Sequence, residues 1–212
     1  MRSLFWDFDG TLFDTYPMMV KAFDQTLQSL GIDEVEMDDY AYYKEMRQRS
    51  AGSAISRFAA EFNLSQAAIR PKFKQLQDEM ISYSKPFPGV VDILNWNVET
   101  GGQNFLLTHR DELALSILDH FEIKKLFTGF VTSEQPFPRK PDPASLNYLI
   151  DQYNVDRKHA VMIGDRKLDI DAAHNANIAG FLFDPDGIIH STGNPEVTAN
   201  SIAELKPALE RL

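Results

Sequence analysis

The stretch Leu4-Phe-Trp-Asp7-Phe-Asp9-Gly-Thr11-Leu-Phe-Asp14 decides the fold. Its first three residues are apolar and partly aromatic, as in a strand that is covered on both faces. Asp7 and Asp9 follow inside the apolar run, and residues two apart in a strand point to the same side. Because a buried, unpaired carboxylate is costly, an ordinary core strand does not carry two of them there. The stretch therefore predicts a site at the carboxyl end of a strand, where open α/β sheets hold their ligands.

The composition excludes several kinds of function. The 212-residue chain has 31 acidic side chains against 21 Lys and Arg, and its formal net charge is −10. Nucleic-acid partners are disfavoured, since proteins that bind them usually present a basic surface. The absence of cysteine excludes disulfides, thiolate zinc sites and cysteine nucleophiles. No apolar run approaches the ~20 residues of a membrane span, and no signal-peptide core is found, so we expect a cytoplasmic protein without a membrane partner.

The section from residue 15 to about 84 has helical patterns and no convincing strand. A connection of about 70 residues is far longer than a normal loop between a strand and a helix. We therefore predict that residues 15–84 form an all-helical domain, inserted directly after the acidic pair and lying over the carboxyl end of the sheet. The expected features of this domain are a helix from Pro17 to Gly31, a helix from about Asp38, a break at 50–53, a helix around 55–62, and a helix from Ser65 to about 82 that Pro71 kinks or begins.

Beyond residue 85 the pattern changes to alternating strands and helices. The predicted strands are 104–107, 130–132, 159–164 and 180–183, and the predicted helices are 90–98, 111–120, 143–153, 168–176 and 201–212. Such alternation is typical of βαβ units and of a mostly parallel sheet. The sequence thus predicts an α/β core domain made of residues 1–14 and 85–212.

Polar groups follow the predicted core strands at one edge of the sheet. They are Asp7 and Asp9, then Thr108 and His109, then Asp165 with Asp169, and Lys140 stands between the last two groups in a loop bounded by prolines. Crowded acids repel each other unless a cation lies among them, and a ligand set of oxygens without cysteine favours Mg²⁺. Mg²⁺ with a lysine and a hydroxyl donor suits a phosphoryl group. Asp7 is then a candidate nucleophile that forms an aspartyl phosphate.

The chain resembles the haloacid dehalogenase superfamily, and within it the phosphatase-like members with a helical cap, of the phosphoglycolate phosphatase and beta-phosphoglucomutase kind. Four motifs carry the resemblance in the order of the family and over most of the chain. They are Asp7-Phe-Asp9-Gly-Thr11, Thr108, Lys140-Pro-Asp-Pro143 and Gly164-Asp165-x-x-x-Asp169. The resemblance implies a Rossmann-like core, with residues 15–84 as a cap domain that matches by position and size.

The resemblance also implies a mechanism, that of a Mg²⁺-dependent phosphatase acting on a small phosphorylated metabolite. In such enzymes the residue at Asp7 attacks phosphorus, and the residue at Asp9 protonates the leaving oxygen and then activates water. Thr108 and Lys140 would hold the phosphoryl oxygens, and Asp169 would orient Lys140 or a metal-bound water. The metal ligands it implies are Asp7, the backbone carbonyl of Asp9, and Asp165.

Two places depart from the family's pattern. His109 and Arg110 follow Thr108, where relatives often have a small or amide residue, and Arg166 follows Asp165, where serine is common. The added positive charge either favours an anionic substrate or, for the two arginines, serves ion pairs with surface acids. The candidate substrate residues are Gly10, His109, Arg47 and Arg49. For the last two, a solvated helix face is the other interpretation.

The main alternative function is a sugar-phosphate mutase of the same superfamily, which reuses the aspartyl phosphate instead of losing it to water. A dehalogenase is disfavoured, because halide displacement needs neither the acid Asp9 nor an acidic metal site. A signalling receiver domain also combines an acidic pair with a phosphorylated aspartate, a threonine and a lysine, but it lacks a long helical insert. A catalytically dead binding module is disfavoured because no acid is missing. The sequence thus favours a phosphatase and leaves its substrate open.

Overall fold

The computed structural model describes residues 1–212, and the chain divides into two compact units. The first consists of Met1–Phe13 and Pro86–Leu212, and the second is the segment Asp14–Lys85 between them. None of the helices is both long and apolar enough to cross a membrane.

The first unit is built around a six-stranded sheet in which each neighbouring pair of strands is parallel. The chain has eight strands, six of which form this sheet. In chain order the eight are β1 (Ser3–Trp6), β2 (Phe13–Asp14), β3 (Lys85–Pro86), β4 (Gln103–Leu107), β5 (Gly129–Val131), β6 (Ala160–Gly164), β7 (Ala179–Phe183) and β8 (Val197–Ala199). The short strands β2 and β3 pair with each other, apart from the large sheet. The order across the large sheet is β5-β4-β1-β6-β7-β8, so that β1 lies in its middle, between β4 and β6.

Nine α-helices accompany these strands. The second unit contains α1 (Tyr16–Ser29), α2 (Asp39–Gln48), α3 (Ala51–Glu61) and α4 (Gln66–Ile81). The first unit contains α5 (Val90–Glu99), α6 (Leu113–His120), α7 (Ala144–Gln152), α8 (Lys167–Asn175) and α9 (Ile202–Leu209). The predicted fold class, a mostly parallel α/β core with an all-helical insertion, is confirmed.

The central position of β1 explains its composition. All four residues of β1 are buried, and Phe5 stacks on Phe105 of β4 with ring centroids 4.8 Å apart. Trp6 is in register with Leu106 of β4 and with Ile163 of β6. A buried strand with a paired neighbour on each side has no solvated face, so its sequence is a nearly continuous apolar run. The register brings the residues that follow these three strands to one edge of the sheet.

The helical unit has an aromatic core of its own. The ring of Phe23 in α1 makes edge-to-face contacts with Tyr42, Phe58 and Phe73, which come from the other three helices. Centroid distances of 5.1 to 6.0 Å lie in the range where aromatic pairs attract beyond their burial. One aromatic residue from each helix therefore joins the four helices into one body.

Two local predictions for the chain need correction, and one strand was not predicted. The break predicted at 50–53 is instead the start of α3, because the Ser50 hydroxyl accepts the Ser53 N–H at 3.0 Å and caps the helix. Pro71 does not begin α4, which runs through it from Gln66. The edge strand β8 had no counterpart in the prediction, because three residues are too few to give a periodic pattern.

Candidate active site

Three polar residues follow directly on the central strands of the first unit. The Asp7 N–H extends the ladder by donating to the Ile163 carbonyl at 2.9 Å, and the Thr108 N–H donates to Val131 at 3.0 Å. Asp165 comes directly after β6. Backbone hydrogen bonds thus hold Asp7 and Thr108 at the carboxyl edge, where parallel sheets form their sites, and Asp165 follows β6 at the same edge.

A buried carboxylate cluster lies at this edge. Asp7, Asp165 and Asp169 each offer one oxygen, and these three atoms lie within 4.8 Å of one another. The residues are 3%, 0% and 0% exposed, so water does not screen their charges. The structure thus brings acids of two predicted motifs, after β1 and in the β6–α8 connection, to one place, as the sequence indicated.

Lys140 inserts its ammonium group into this cluster. Its Nζ lies 2.7 Å from Asp7 Oδ1 and 2.6 Å from Asp169 Oδ1, and it donates to the Leu107 carbonyl at 3.1 Å. Burial by itself lowers the pKa of Lys140, but the carboxylates of Asp169 and Asp7 outweigh it and raise the pKa above the usual lysine value. Lys140 is therefore a permanent positive charge between the two acids.

The Lys140 ammonium, together with the Arg166 guanidinium 3.6 Å from Asp165, still leaves the three carboxylates short of positive charge. Burial is the main cause that raises the pKa of Asp7 to about 7; Lys140 opposes it, and Asp169 and Asp165 add to it. Asp7 Oδ2 is buried and accepts no hydrogen bond. An uncompensated buried oxygen among carboxylates is a position that a small divalent cation satisfies, and its oxygen donors are the kind that Mg²⁺ takes. The cluster is compatible with a divalent metal on these grounds.

Two local features shape the cluster. Gly10 has a φ of 71°, a left-handed conformation that glycine adopts without strain, and its N–H donates to the Phe13 carbonyl at 2.8 Å. This closes the turn after Asp9. At the end of β6, a Cβ on Gly164 would lie 2.3 Å from the Cβ and Cγ of Asp169. Gly164 thus makes room for the Asp169 side chain.

His109 supports the Lys140 loop. Its Nε2 accepts the Lys140 backbone N–H at 2.9 Å, which requires a neutral ring with its proton on Nδ1. Burial, together with the charges of Lys140 and Arg139, lowers the pKa of His109 to about 3. With Thr108, Arg139 and Ser145, His109 also lines a cavity of about 140 Å³. The substrate role predicted for His109 stays a prediction.

The two arginines beside the motifs bind acids of the site, so their assignment to surface acids is wrong. The Arg110 side chain is 6% exposed, and its Nη2 lies 2.7 Å from Asp9 Oδ1. Arg166 Nε lies 3.6 Å from Asp165 Oδ1. No local pattern indicated the contact of Arg110 with Asp9, since the two residues lie 101 positions apart in the chain. The adjacency of β1 and β4 makes this contact reachable, and only the strand order reveals it.

Arg47 and Arg49 lie in the helical unit and make their described contacts there. Arg47 is 1% exposed, and its guanidinium lies over the Tyr16 ring, 5.1 Å from the centroid. The Arg49 side chain is 73% exposed and lies 3.7 Å from Glu45. A solvated helix face therefore does not describe Arg47, and the substrate role of both arginines stays a prediction.

Residues 4–192 match the family model described as "Haloacid dehalogenase-like hydrolase". The chain therefore belongs to the haloacid dehalogenase-like hydrolase family, which confirms the resemblance and the prediction of a hydrolase.

Curated relatives and solved structures match along nearly the whole chain. A protein of Vibrio parahaemolyticus serotype O3:K6, named phosphoglycolate phosphatase, is 29% identical over 218 residues, covering 97% of this chain and 94% of the relative. A protein of Agrobacterium fabrum with the same name is 28% identical, covering 96% and 90%. The crystal structure of a hydrolase from Streptococcus pneumoniae TIGR4 is 32% identical, with a TM-score of 0.70, covering 99% and 98%.

Proposed function

We propose that the protein is a Mg²⁺-dependent phosphatase that hydrolyses the phosphate ester of a small metabolite through an aspartyl phosphate on Asp7. The observation that carries the proposal is the position of Asp7, held by the Lys140 ammonium at 2.7 Å in a pocket of buried acids. The name phosphoglycolate phosphatase on relatives at 29% and 28% identity supports it. A cytoplasmic location remains part of this proposal.

The residues proposed to hold Mg²⁺ are Asp7, Asp165 and the backbone carbonyl of Asp9. The unsatisfied Asp7 Oδ2 and the shortage of positive charge in the cluster support this assignment. When bound, the ion would supply positive charge against the phosphoryl oxygens, as in other phosphoryl-transfer enzymes.

The reaction then proceeds in two displacements at phosphorus. An Asp7 oxygen attacks, the bond from phosphorus to the ester oxygen breaks, and Asp9 gives that oxygen its proton. Asp9 next takes a proton from water, whose oxygen attacks phosphorus and releases inorganic phosphate and the free Asp7 carboxylate. Positioned acid–base groups of this kind contribute about 10²–10⁴-fold to a rate.

Thr108 and Lys140 are proposed to bind the phosphoryl oxygens. The Thr108 hydroxyl oxygen accepts the Arg110 N–H at 3.1 Å, so the hydroxyl proton of Thr108 is free to be donated to another acceptor. Lys140 already contacts Asp7, so its charge lies where negative charge develops during transfer. Asp169, 2.6 Å from Lys140, orients it; Asp169 Oδ2 also accepts the Arg166 N–H at the start of α8, so its side chain is fixed at both ends.

The helical unit is proposed to act as the cap that reads the rest of the substrate. Its chain connections support this, because it is inserted between β1, which ends in the acidic pair, and the remainder of the sheet. Lids that close over a bound substrate exclude water from the transfer step. By their names, the relatives point to 2-phosphoglycolate as the first substrate to test.

The deciding experiment measures phosphate release from a panel of phosphorylated metabolites that includes 2-phosphoglycolate and hexose phosphates, with Mg²⁺ and after chelation. We expect stoichiometric inorganic phosphate that depends on the metal. Asp7→Asn should abolish release, because an amide is a poor nucleophile, while Asp119→Asn is the control, since the Asp119 side chain is exposed and its carboxylate pairs with Lys124 at 3.5 Å. Near-normal release by Asp7→Asn would contradict the covalent mechanism. Labelled phosphate recovered on an isomeric sugar phosphate would favour the mutase instead.

A further inference from the structure

Arg110 holds the carboxylate of Asp9 in a fork of hydrogen bonds within the first unit. Its Nη2 donates to Asp9 Oδ1 at 2.7 Å, and its Nε lies 3.2 Å from both carboxylate oxygens. The two side chains are 6% and 22% exposed. Paired, charge-assisted bonds of this kind are the strong and geometrically selective class.

The backbone of Arg110 is fixed as firmly as its side chain. Its N–H donates to Thr108 Oγ at 3.1 Å, and its carbonyl accepts the Ser133 N–H at 2.9 Å. The guanidinium is therefore aimed from a rigid turn next to Thr108, the proposed phosphoryl ligand. Its position relative to the reacting group is set by the end of β4.

The ion pair with Arg110 occupies the Asp9 carboxyl group, which the proposed function needs at the ester oxygen of the substrate. An acid–base group must come within ~3 Å of the ester oxygen to transfer a proton. The hydrogen bonds from Arg110 occupy the same two Asp9 oxygens and compete with the ester oxygen for them. Releasing Asp9 breaks the charge-assisted hydrogen bonds that it makes with a nearly buried guanidinium, and this loss is costly unless another anion replaces them.

We propose that Arg110 is a binding site for an anionic group on the leaving part of the substrate, and that this anion displaces Asp9 from the guanidinium. Asp9 is thereby released to the leaving oxygen. Two successive hydrogen bonds, from ester oxygen to Asp9 and from Asp9 to Arg110, span roughly 6 Å. The anion must therefore lie close to the ester oxygen, as a carboxylate does on a short-chain phosphorylated acid. This inference rests on the proposed function and selects one substrate class for it.

The test compares two esters that differ only in the anion. They are 2-phosphoglycolate and 2-hydroxyethyl phosphate, in which a hydroxymethyl group replaces the carboxylate. We expect the parent protein to prefer 2-phosphoglycolate by about 100-fold in kcat/KM, the size of effect that a well-placed charge pair gives. For Arg110→Ala we expect that preference to disappear, because the KM for 2-phosphoglycolate rises more than the KM for 2-hydroxyethyl phosphate.

Two further variants complete the test. Arg110→Lys keeps the charge but not the fork, so it should restore part of the KM for 2-phosphoglycolate. Arg211→Ala removes an exposed arginine near the end of the chain and should behave like the parent. Folding of each variant is checked by the fluorescence of Trp6 and Trp96, both of which lie in the first unit.

The possible failures are distinguishable. Equal losses on both esters in Arg110→Ala would mean that Arg110 only orients Asp9, and would overturn the inference. A parent that hydrolyses both esters without preference would also overturn it while leaving the proposed function intact. A parent inactive on every phosphate ester would instead overturn the proposed function, and this inference with it.

Discussion

Gly164→Ala is expected to damage the site through packing alone. The added Cβ would lie 2.3 Å from the Cβ and Cγ of Asp169 and 2.5 Å from its Oδ2. Carbon atoms attract at about 3.5–4.0 Å, so Asp169 must move by more than 1 Å. Because Asp169 is fully buried at the start of α8, it has no free space to enter.

The magnitude follows from what Asp169 loses when it moves. Overpacking of a tight interior costs about 1–3 kcal/mol. The displaced carboxylate also weakens its contacts with Lys140 and with the Arg166 N–H, and a charge-assisted hydrogen bond contributes about 1.5–3 kcal/mol. We therefore expect the free energy of unfolding to fall by roughly 3–5 kcal/mol. Phosphatase activity should fall as well, because Lys140 loses one of its two carboxylate partners.

The assay is urea unfolding followed by tryptophan fluorescence. Both tryptophans, Trp6 and Trp96, lie in the first unit, so the signal reports on the unit that carries Gly164. Gly52→Ala is the matched control: Gly52 lies in the first turn of α3, and the nearest atom to its added Cβ is 3.7 Å away. The control should leave the tryptophan transition unchanged. Parental stability and activity in Gly164→Ala would refute the argument that this glycine makes room for Asp169.

The remaining predictions concern three single residues. Asp9→Asn should lower kcat by about 10²–10⁴-fold for alkyl phosphates and less for esters with good leaving groups, measured by phosphate release; an equal loss on both would contradict its acid–base role. Burial and the neighbouring Asp39 raise the pKa of Asp24 from 3.8 to about 7, so the stability that protonated Asp24 contributes is complete below about pH 4 and is lost as pH rises to about 7. Asp24→Asn should therefore gain about 1–2 kcal/mol at pH 8, after allowance for solvent screening, and clearly less at pH 5, by thermal unfolding at both values; equal gains would contradict this. His109→Ala removes the acceptor of the Lys140 N–H and should lower kcat and stability together, whereas His109→Gln, which can still accept, should recover part of both; a Gln variant no better than Ala would argue against that role.

Much of the carboxylate cluster could be predicted from the sequence. Asp7, Asp165 and Lys140 stand after strands or before a helix, and strands that run parallel end at a common edge. Their convergence therefore needed only the correct assignment of strands, which the apolar runs supplied. The helical unit could also be predicted from the sequence, because four amphipathic segments without a strand are typical of an all-helical domain.

The contacts of single side chains were less predictable. Arg110 resembled a solvated surface residue, since a sequence shows its charge but not which strand lies beside β4. In the sequence, Arg47 is one of several cations on a predicted helix. Only the packing of the helices places its guanidinium over the Tyr16 ring, where Arg47 is 1% exposed. The start of α3 was missed because Ala-Gly-Ser is a poor helix sequence, and the cap from Ser50 compensates for it.

The sequence by itself determined the alternation of strands and helices along the chain, the α/β class and the identity of the acids, because these depend on periodicity and on motifs that are local in the chain. The tertiary structure alone decided the strand order β5-β4-β1-β6-β7-β8, and with it which distant residues meet. The guanidinium of Arg110 reaches Asp9 because β4 is the neighbour of β1. A side chain's partner is a property of the three-dimensional neighbourhood, where direction and distance within a few ångströms decide whether a charge is solvated, paired or available to a substrate.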